Sequence, residues 1–210
     1  MIEVLAPQGT PEWIAARIGV PSGSRFADVM AGGKAGAPSL TRAAYLNAIA
    51  LEQVNGTREE IPVTPDMQNG TDREPMARAM YEQRTGEIVD EIGFCLHNTL
   101  KCGVSPDGLV NGNGLTEFKC PKPKTHYEYM NRKDAPPAYK WQIQGQMWVM
   151  EREWCDFASY SPAFPENAQL VVRRVYRDEP MITSLEAEIK KFLEEVEQQV
   201  QFIRNYKEAQ

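Results

Sequence analysis

Residues 104–121 read V-S-P-D-G-L-V-N-G-N-G-L-T-E-F-K-C-P. The pattern predicts two short strands joined by an asparagine- and glycine-rich turn at residues 111–114. Asp107 begins one strand, and Glu117 and Lys119 lie on the other. Because side chains alternate across a strand, Glu117 and Lys119 share a face, while Phe118 points away and leaves its carbonyl oxygen between them. Three functional groups are therefore expected to meet at one point.

This set of groups suits a hard divalent cation. Carboxylate and carbonyl oxygens are ligands for Mg²⁺, which commonly also keeps water and binds substrate phosphate. A lysine beside the metal would orient or deprotonate an attacking water, or steady the phosphate. The hairpin therefore predicts metal-assisted hydrolysis of a phosphodiester.

Size and composition favour one soluble domain spanning residues 1–210. No apolar run approaches the length of a membrane span, and the first residues lack the pattern of a signal peptide, so no membrane partner is expected. The four cysteines form no C-x-x-C pair, which disfavours a zinc site and fits a reduced, cytoplasmic setting.

Charge is unevenly distributed along the chain. A net charge of -6 excludes a protein coated all over with DNA-binding charge. Residues 119–140 nevertheless carry six lysines and arginines against two acids, Glu128 and Asp134. The sequence therefore permits a local basic channel.

Periodicity and capping residues predict an α/β (α+β) fold, with a central mixed sheet flanked by helices. Thr10 and Pro11 predict the start of the first helix, and Ser22 or Ser24 is expected to cap the second. Gly70 and Pro75 predict an irregular early part of the fourth helix. Helices are expected at residues 11–18, 25–30, 41–54, 67–85, 138–151 and 180–206, with a short helix or loop at 122–132. Strands are expected at 87–97, 99–104, 154–160 and 170–176, the first two forming a mainly antiparallel sheet with the hairpin.

Several polar residues have two interpretations on local sequence alone. The serines near residue 24, with an arginine nearby, would seat a phosphate at a helix start, although simple capping is the commoner explanation. Glu74 alone would be a solvated acid. Gln144 belongs to a helix with three glutamines within five residues, which either bind partners or form a solvated edge.

The order of these elements resembles the PD-(D/E)XK nuclease superfamily, whose motif matches Pro106-Asp107 and Glu117-Phe118-Lys119. Four sequence blocks are more specific: W-I-A-A-R-I-G-V-P-S-G-S, S-P-D-G-L, G-L-T-E-F-K-C-P and A-Y-K-W-Q-I-Q-G-Q-M-W-V. In this order they are similar to the phage lambda exonuclease-like viral recombinase family, over residues 13–160.

The resemblance implies a PD-(D/E)XK nuclease core and a Mg²⁺-dependent exonuclease, with Mn²⁺ able to substitute. Enzymes of this family digest double-stranded DNA in the 5′-to-3′ direction from a 5′-phosphorylated end and release mononucleotides. It further implies a homotrimeric ring, a single-strand annealing protein as partner in recombination, and a phage or prophage protein in the bacterial cytoplasm.

The family motif also implies residue roles. Asp107, Glu117 and the Phe118 carbonyl would hold metal, Lys119 would activate or position water, and Glu74 matches the family's upstream acid.

Other matching positions imply contacts with DNA. Met67 matches an apolar wedge between the strands, and Lys34 would reach DNA from the loop at residues 31–39. The positions that match the cradle of the terminal 5′-phosphate are Arg17, Ser24, Ser105 and Gln144.

Two other functions stay open at the level of sequence. An endonuclease or junction resolvase of the same superfamily would share the metal site, and would be recognised by nicking of a circular duplex. A catalytically inactive DNA-binding subunit is disfavoured because binding alone does not require Asp107, Glu117 and Lys119 together.

Overall fold

The computed structural model describes residues 2–4, 6–33, 39–59 and 62–207. Within these residues the helices are α1 (Pro11–Ala16), α2 (Phe26–Val29), α3 (Leu40–Asn55), α4 (Pro65–Thr85), α5 (Pro123–Met130), α6 (Lys140–Met150) and α7 (Glu179–Arg204). The strands are β1 (Ile2–Val4), β2 (Val89–Asp90), β3 (Phe94–Leu96), β4 (Gly103–Val104), β5 (Gly108–Val110), β6 (Gly114–Lys119), β7 (Trp154–Tyr160) and β8 (Leu170–Tyr176). None of the described helices is both long and apolar enough to cross a membrane.

A five-stranded mixed sheet in the order β2-β5-β6-β7-β8 forms the centre of the fold. β6 and β7 are parallel, with Glu117 opposite Phe157, and the other neighbouring pairs are antiparallel. A parallel pair needs a long crossover connection, which α5 and α6 supply between β6 and β7. The predicted central mixed sheet flanked by helices is confirmed, and the bounds of β7 and β8 match the prediction.

The prediction of one sheet for residues 87–104 and the hairpin is partly wrong. Only β2 pairs with β5, whereas β3 and β4 join β1 in a separate three-stranded sheet. Asp90 and Glu91 are both exposed, so the in-and-out alternation fails at this point. A continuous strand cannot keep its register through such a break, and the chain leaves the central sheet.

The N-terminal helices follow their capping residues only in part. Thr10 caps α1 as predicted, since its side-chain oxygen accepts a hydrogen bond from the Trp13 backbone N–H at 3.3 Å. The second helix differs: a 3₁₀ turn at Gly23–Arg25 precedes α2, and neither Ser22 nor Ser24 provides a side-chain cap. The Ser22 backbone N–H instead donates to the Tyr45 hydroxyl at 3.0 Å.

The fourth helix is continuous from Pro65 to Thr85. Thr64 caps it by accepting a hydrogen bond from the Met67 N–H at 3.2 Å, so it begins two residues before the predicted position. The helix runs through Gly70 and Pro75 without the expected break, although Pro75 removes one backbone hydrogen-bond donor. Continuity of α4 matters because this helix carries Glu74 toward the sheet.

Hydrophobic packing fixes helices on both faces of the sheet. On one face α6 and α7 bury an apolar core together with α2 and α3. The predicted stripe of α7 supplies its buried side chains Ile182, Leu185, Ile189, Phe192, Val196 and Val200. On the other face Ala77 and Tyr81 of α4 pack against strand residues that include Phe118. The hairpin is thereby held between two rigid layers.

Candidate active site

The predicted hairpin forms, and its pairing places Asp107 beside Glu117. β5 and β6 are antiparallel with Gly108 opposite Thr116, and the Asp107 N–H donates to the Thr116 carbonyl at 3.2 Å. The Phe118 N–H donates to Asp107 Oδ2 at 2.6 Å. Asp107 is therefore fixed against β6 at both its backbone and its side chain.

Glu117 is the most enclosed acid of the site, with only 1% of its surface exposed. Its Oε1 accepts hydrogen bonds from Lys119 Nζ, with which it forms an ion pair, and from Gln142 Nε2 at 2.6 Å. Its Oε2 accepts from Gln146 Nε2 at 2.6 Å. Phe118 points to the opposite face, where its ring meets Tyr81 edge-on at 5.7 Å between centroids. The predicted alternation across β6 is confirmed.

Burial and mutual charge set the electrostatics of the three groups. Burial raises the pKa of Asp107 well above its usual value, and the neighbouring Glu117 raises it further. Burial lowers the pKa of Lys119, but Glu117 and Asp107 raise it by more, so the net direction is upward. Two enclosed carboxylates share this one lysine, and a divalent cation would relieve their remaining repulsion.

Glu74 reaches the same region from α4. Burial raises the pKa of Glu74 and Glu117 acts in the same direction, whereas Lys119 and Arg78 oppose it. Glu74 and Asp107 both line an open cavity of about 750 Å³. Among the described residues no three Asp, Glu, His or Cys side chains come together as a metal-binding group. The hairpin thus contributes the carboxylates of Asp107 and Glu117, and Glu74 lines the cavity beside Asp107.

Arg17 and Ser105 lie on either side of one tryptophan. The Arg17 guanidinium stacks over the Trp13 ring at 3.9 Å, and the Trp13 indole N–H donates to Ser105 Oγ at 2.9 Å. Arg17 Nη2 lies 3.4 Å from Ser22 Oγ, and its buried Nε has no hydrogen-bond partner among the described residues. Ser24 is exposed in the 3₁₀ turn. The structure therefore gathers Arg17 and Ser105 through Trp13, and places Ser22 rather than Ser24 in contact with Arg17.

Gln144 does not reach the site. Its Nε2 donates to the Tyr176 carbonyl at 2.9 Å, and its Oε1 accepts from the Asp178 N–H at 2.9 Å. It thereby ties α6 to the junction of β8 and α7, on the side away from Glu117. Gln142 and Gln146 bind Glu117 instead, and the sequence prediction missed them. Their four-residue spacing, which puts both on one helix face, was the available signal.

Met67 and Lys34 are the two other positions that were expected to contact DNA. Met67 is 51% exposed in the first turn of α4. Its neighbour Asp66 forms an ion pair with Lys122 at 2.7 Å, which brings this turn next to the end of β6. Lys34 lies outside the described residues.

The order of these residues along the chain matches that of a known family. The model of the YqaJ-like viral recombinase domain matches residues 12–153, more than half of the chain. The protein belongs to this family. The matched region begins in α1 and ends just before β7, so every residue of the site described above lies inside the family domain.

Solved structures agree with this assignment. This protein is similar to an alkaline exonuclease (LHK-Exo) from Laribacter hongkongensis, with 40% identity, a TM-score of 0.87, and 93% of this chain and 96% of that chain covered. The same enzyme solved in complex with dAMP gives a TM-score of 0.86 at 40% identity. A phage related exonuclease from Haemophilus somnus 129PT shares the fold, with a TM-score of 0.70 at 13% identity over 88% of this chain and 96% of that chain. No curated protein matches the chain.

Proposed function

We infer that this member of the YqaJ-like family is a deoxyribonuclease, and we propose that it is a Mg²⁺-dependent 5′-to-3′ exonuclease on double-stranded DNA. It starts at a 5′-phosphorylated end, releases mononucleotides and leaves 3′ single-stranded overhangs for annealing. One observation carries the proposal: the enclosed Asp107–Glu117–Lys119 group begins two residues beyond Ser105. Trp13 links Ser105 to the guanidinium of Arg17, whose buried Nε has no hydrogen-bond partner among the described residues.

The residues at the hairpin divide the chemistry among them. The carboxylates of Asp107 and Glu117 and the carbonyl of Phe118 would hold Mg²⁺, for which Mn²⁺ would substitute. The bound ion supplies activation of water and stabilisation of the leaving 3′ oxygen. Gln142 and Gln146 hold the Glu117 carboxylate in place through its two oxygens.

Lys119 would orient or deprotonate the attacking water, or steady the scissile phosphate. The Tyr139 ring lies 5.4 Å from its Nζ and confines it on another side. Glu74 faces the cavity next to Asp107, and in this proposal it contacts the site through water.

End selection belongs to the groups around Trp13. Arg17, with Ser105 beside Asp107, receives the terminal 5′-phosphate and so registers the end relative to the scissile bond. Met67 is exposed where α4 meets the end of β6, and in this proposal it separates the two strands. The complex of the Laribacter enzyme with dAMP supports a mononucleotide product.

Assembly and partners rest on the family. We propose that the protein forms a homotrimeric ring around DNA and works with a single-strand annealing protein in the bacterial cytoplasm. The basic segment at residues 119–140 would contact the phosphate backbone of the duplex.

A linear duplex with a 5′-phosphate on one strand only tests the proposal. With Mg²⁺, the phosphorylated strand should disappear as mononucleotides, while the other strand should remain at full length as single-stranded DNA. Each strand is followed by its own 3′-terminal label. Digestion of the strand with the 5′-hydroxyl, or equal loss of both strands, would contradict the assigned end selection.

A further inference from the structure

The backbone turn that follows α1 is fixed from the side of α3. The Gly19 N–H donates to Glu52 Oε2 at 2.7 Å, and Gln53 Nε2 donates to the Gly19 carbonyl at 2.8 Å. Gly19 has a φ of 66°, which favours glycine, and an added Cβ would clash with Gln53. Two side chains of α3 therefore hold the turn that carries Arg17.

Arg58 completes this clamp. It follows the left-handed Gly56 that ends α3. Its Nε donates to Glu52 Oε1 at 2.7 Å and its Nη2 to Glu52 Oε2 at 2.9 Å. The same Nη2 also donates to the backbone carbonyl of Arg17 at 2.9 Å. One guanidinium thus ties the end of α3 directly to the peptide of Arg17, and none of these contacts involves the scissile bond.

The two arginines are also close enough to affect each other's charge. Burial and, to a smaller extent, the positive charge of Arg58 lower the pKa of Arg17 to about 10, so the Arg17 guanidinium stays charged at neutral pH. Among the described residues, Glu52 is the carboxylate that acts on both guanidiniums, so two positive charges share it. A phosphate bound to Arg17 would offset the excess positive charge.

We propose that Arg58 is a positioning residue that determines the preference for 5′-phosphorylated ends. It holds the Arg17 backbone so that the Arg17 guanidinium, stacked on Trp13, stays aimed at the terminal phosphate. This role rests on the proposed function, in which Arg17 seats that phosphate.

A merely structural clamp would behave differently. Loss of general stability lowers turnover on every kind of end alike. Loss of the aim of Arg17 lowers kcat/KM only where a terminal phosphate is present. The deciding quantity is therefore the ratio of kcat/KM on 5′-phosphorylated ends to kcat/KM on 5′-hydroxyl ends of the same duplex.

The experiment uses Arg58→Ala and Arg58→Lys in the full chain with Mg²⁺. The lysine variant keeps an ion pair with Glu52, and so supports folding, but it lacks the second nitrogen that reaches the Arg17 carbonyl. Both variants should lower the ratio by about fivefold to tenfold, mostly through KM. Arg42→Ala is the matched control, because Arg42 pairs with Glu195 of α7 away from the site, and its ratio should equal that of the wild type.

A double variant separates this inference from the proposed function. If Arg58 acts through Arg17, then Arg58→Ala adds no further loss of the ratio to Arg17→Ala. A wild-type ratio in both folded Arg58 variants, or a further fall in the double variant, overturns the role of Arg58. If instead the wild type shows no preference, or Arg17→Ala keeps it, the proposed phosphate seat fails, and the role of Arg58 fails with it.

Discussion

At the scale of single residues, the site depends on the hydrogen bonds that an enclosed carboxylate accepts. Glu117 accepts three hydrogen bonds from three donors, and Asp107 accepts one from the backbone of Phe118. Such bonds to charged groups contribute about 1.5–3 kcal/mol each, which offsets much of the cost of burying the charge. These bonds hold the carboxylates in position before DNA arrives.

Replacing Asp107 by asparagine tests the requirement for charge. Asp107→Asn keeps an oxygen to accept the Phe118 N–H but removes the negative charge that a cation needs. Because changes in groups that merely support a ligand lower activity by about 10- to 100-fold, loss of the ligand itself should lower kcat by at least about 100-fold. Release of labelled nucleotide at saturating Mg²⁺ measures it.

The comparison requires two controls. Asp90→Asn makes the same chemical change at an exposed position of β2 and should keep wild-type activity. DNA binding by Asp107→Asn should also persist, as measured by fluorescence anisotropy. Full cleavage by Asp107→Asn would remove Asp107 from the set of metal ligands.

The residues of the hairpin could be predicted from the local sequence pattern, whereas the surrounding residues of the site depend on contacts between distant parts of the chain. Glu117 and Lys119 could be grouped from the sequence because side chains alternate along a strand, and this pattern is visible within a few residues. Gln144 matched the family by position, yet its amide binds the junction between β8 and α7, and nothing near residue 144 encodes that contact. Trp13 contacts both Arg17 and Ser105, and it lies 92 residues from Ser105 along the chain. Only the folded structure therefore shows that Trp13 connects them.

At the scale of elements, the helices were more predictable than the strands. α4 and α7 carry caps and apolar stripes within their own sequence, and their bounds lie close to the predicted ones. β2, β3 and β4 are two or three residues long, and only partner strands distant in sequence decide which sheet they join. Short strands contain too few residues for periodicity to assign them.

Two helical glycines give opposite predictions for one substitution. Alanine is favoured over glycine by about 0.8–1 kcal/mol in a helix interior. At Gly70 of α4 an added Cβ meets no atom within 4 Å, so Gly70→Ala should raise the free energy of unfolding by about that amount. At Gly145 of α6 the Cβ would overlap the ring of Phe26 and lie 3.3 Å from Leu185.

The packing at Gly145 outweighs helix propensity. Phe26 is fully buried and has no room to move, and overpacking of a core costs about 1–3 kcal/mol. Gly145→Ala should therefore lower the free energy of unfolding, whereas Gly70→Ala raises it. Urea unfolding of the two variants, followed by circular dichroism, measures whether each substitution raises or lowers the free energy of unfolding. A stabilised Gly145→Ala would mean that α6 does not pack this closely on α2.

At the scale of the whole molecule, overall charge and local charge have opposite signs. The chain carries a net charge of -6, yet a basic segment adjoins the end of β6, where Asp107, Glu117 and Lys119 meet. Part of that segment is already neutralised, since Lys122 pairs with Asp66. In the proposed function this uneven charge would favour one approach of the duplex to the site.

An enzyme that registers a terminal phosphate should require an end. A relaxed, covalently closed circular duplex offers no phosphate for Arg17 and no end to thread through a ring, so it should remain intact at enzyme concentrations that digest the linear form. The matched substrate is the same circle cut once by a restriction enzyme that leaves 5′-phosphates. Agarose gels resolve closed, nicked and linear forms in one assay. Nicking of the closed circle in the presence of Mg²⁺ would assign the Asp107–Glu117–Lys119 site to an endonuclease or junction resolvase, because cutting without an end needs no seat for a terminal phosphate.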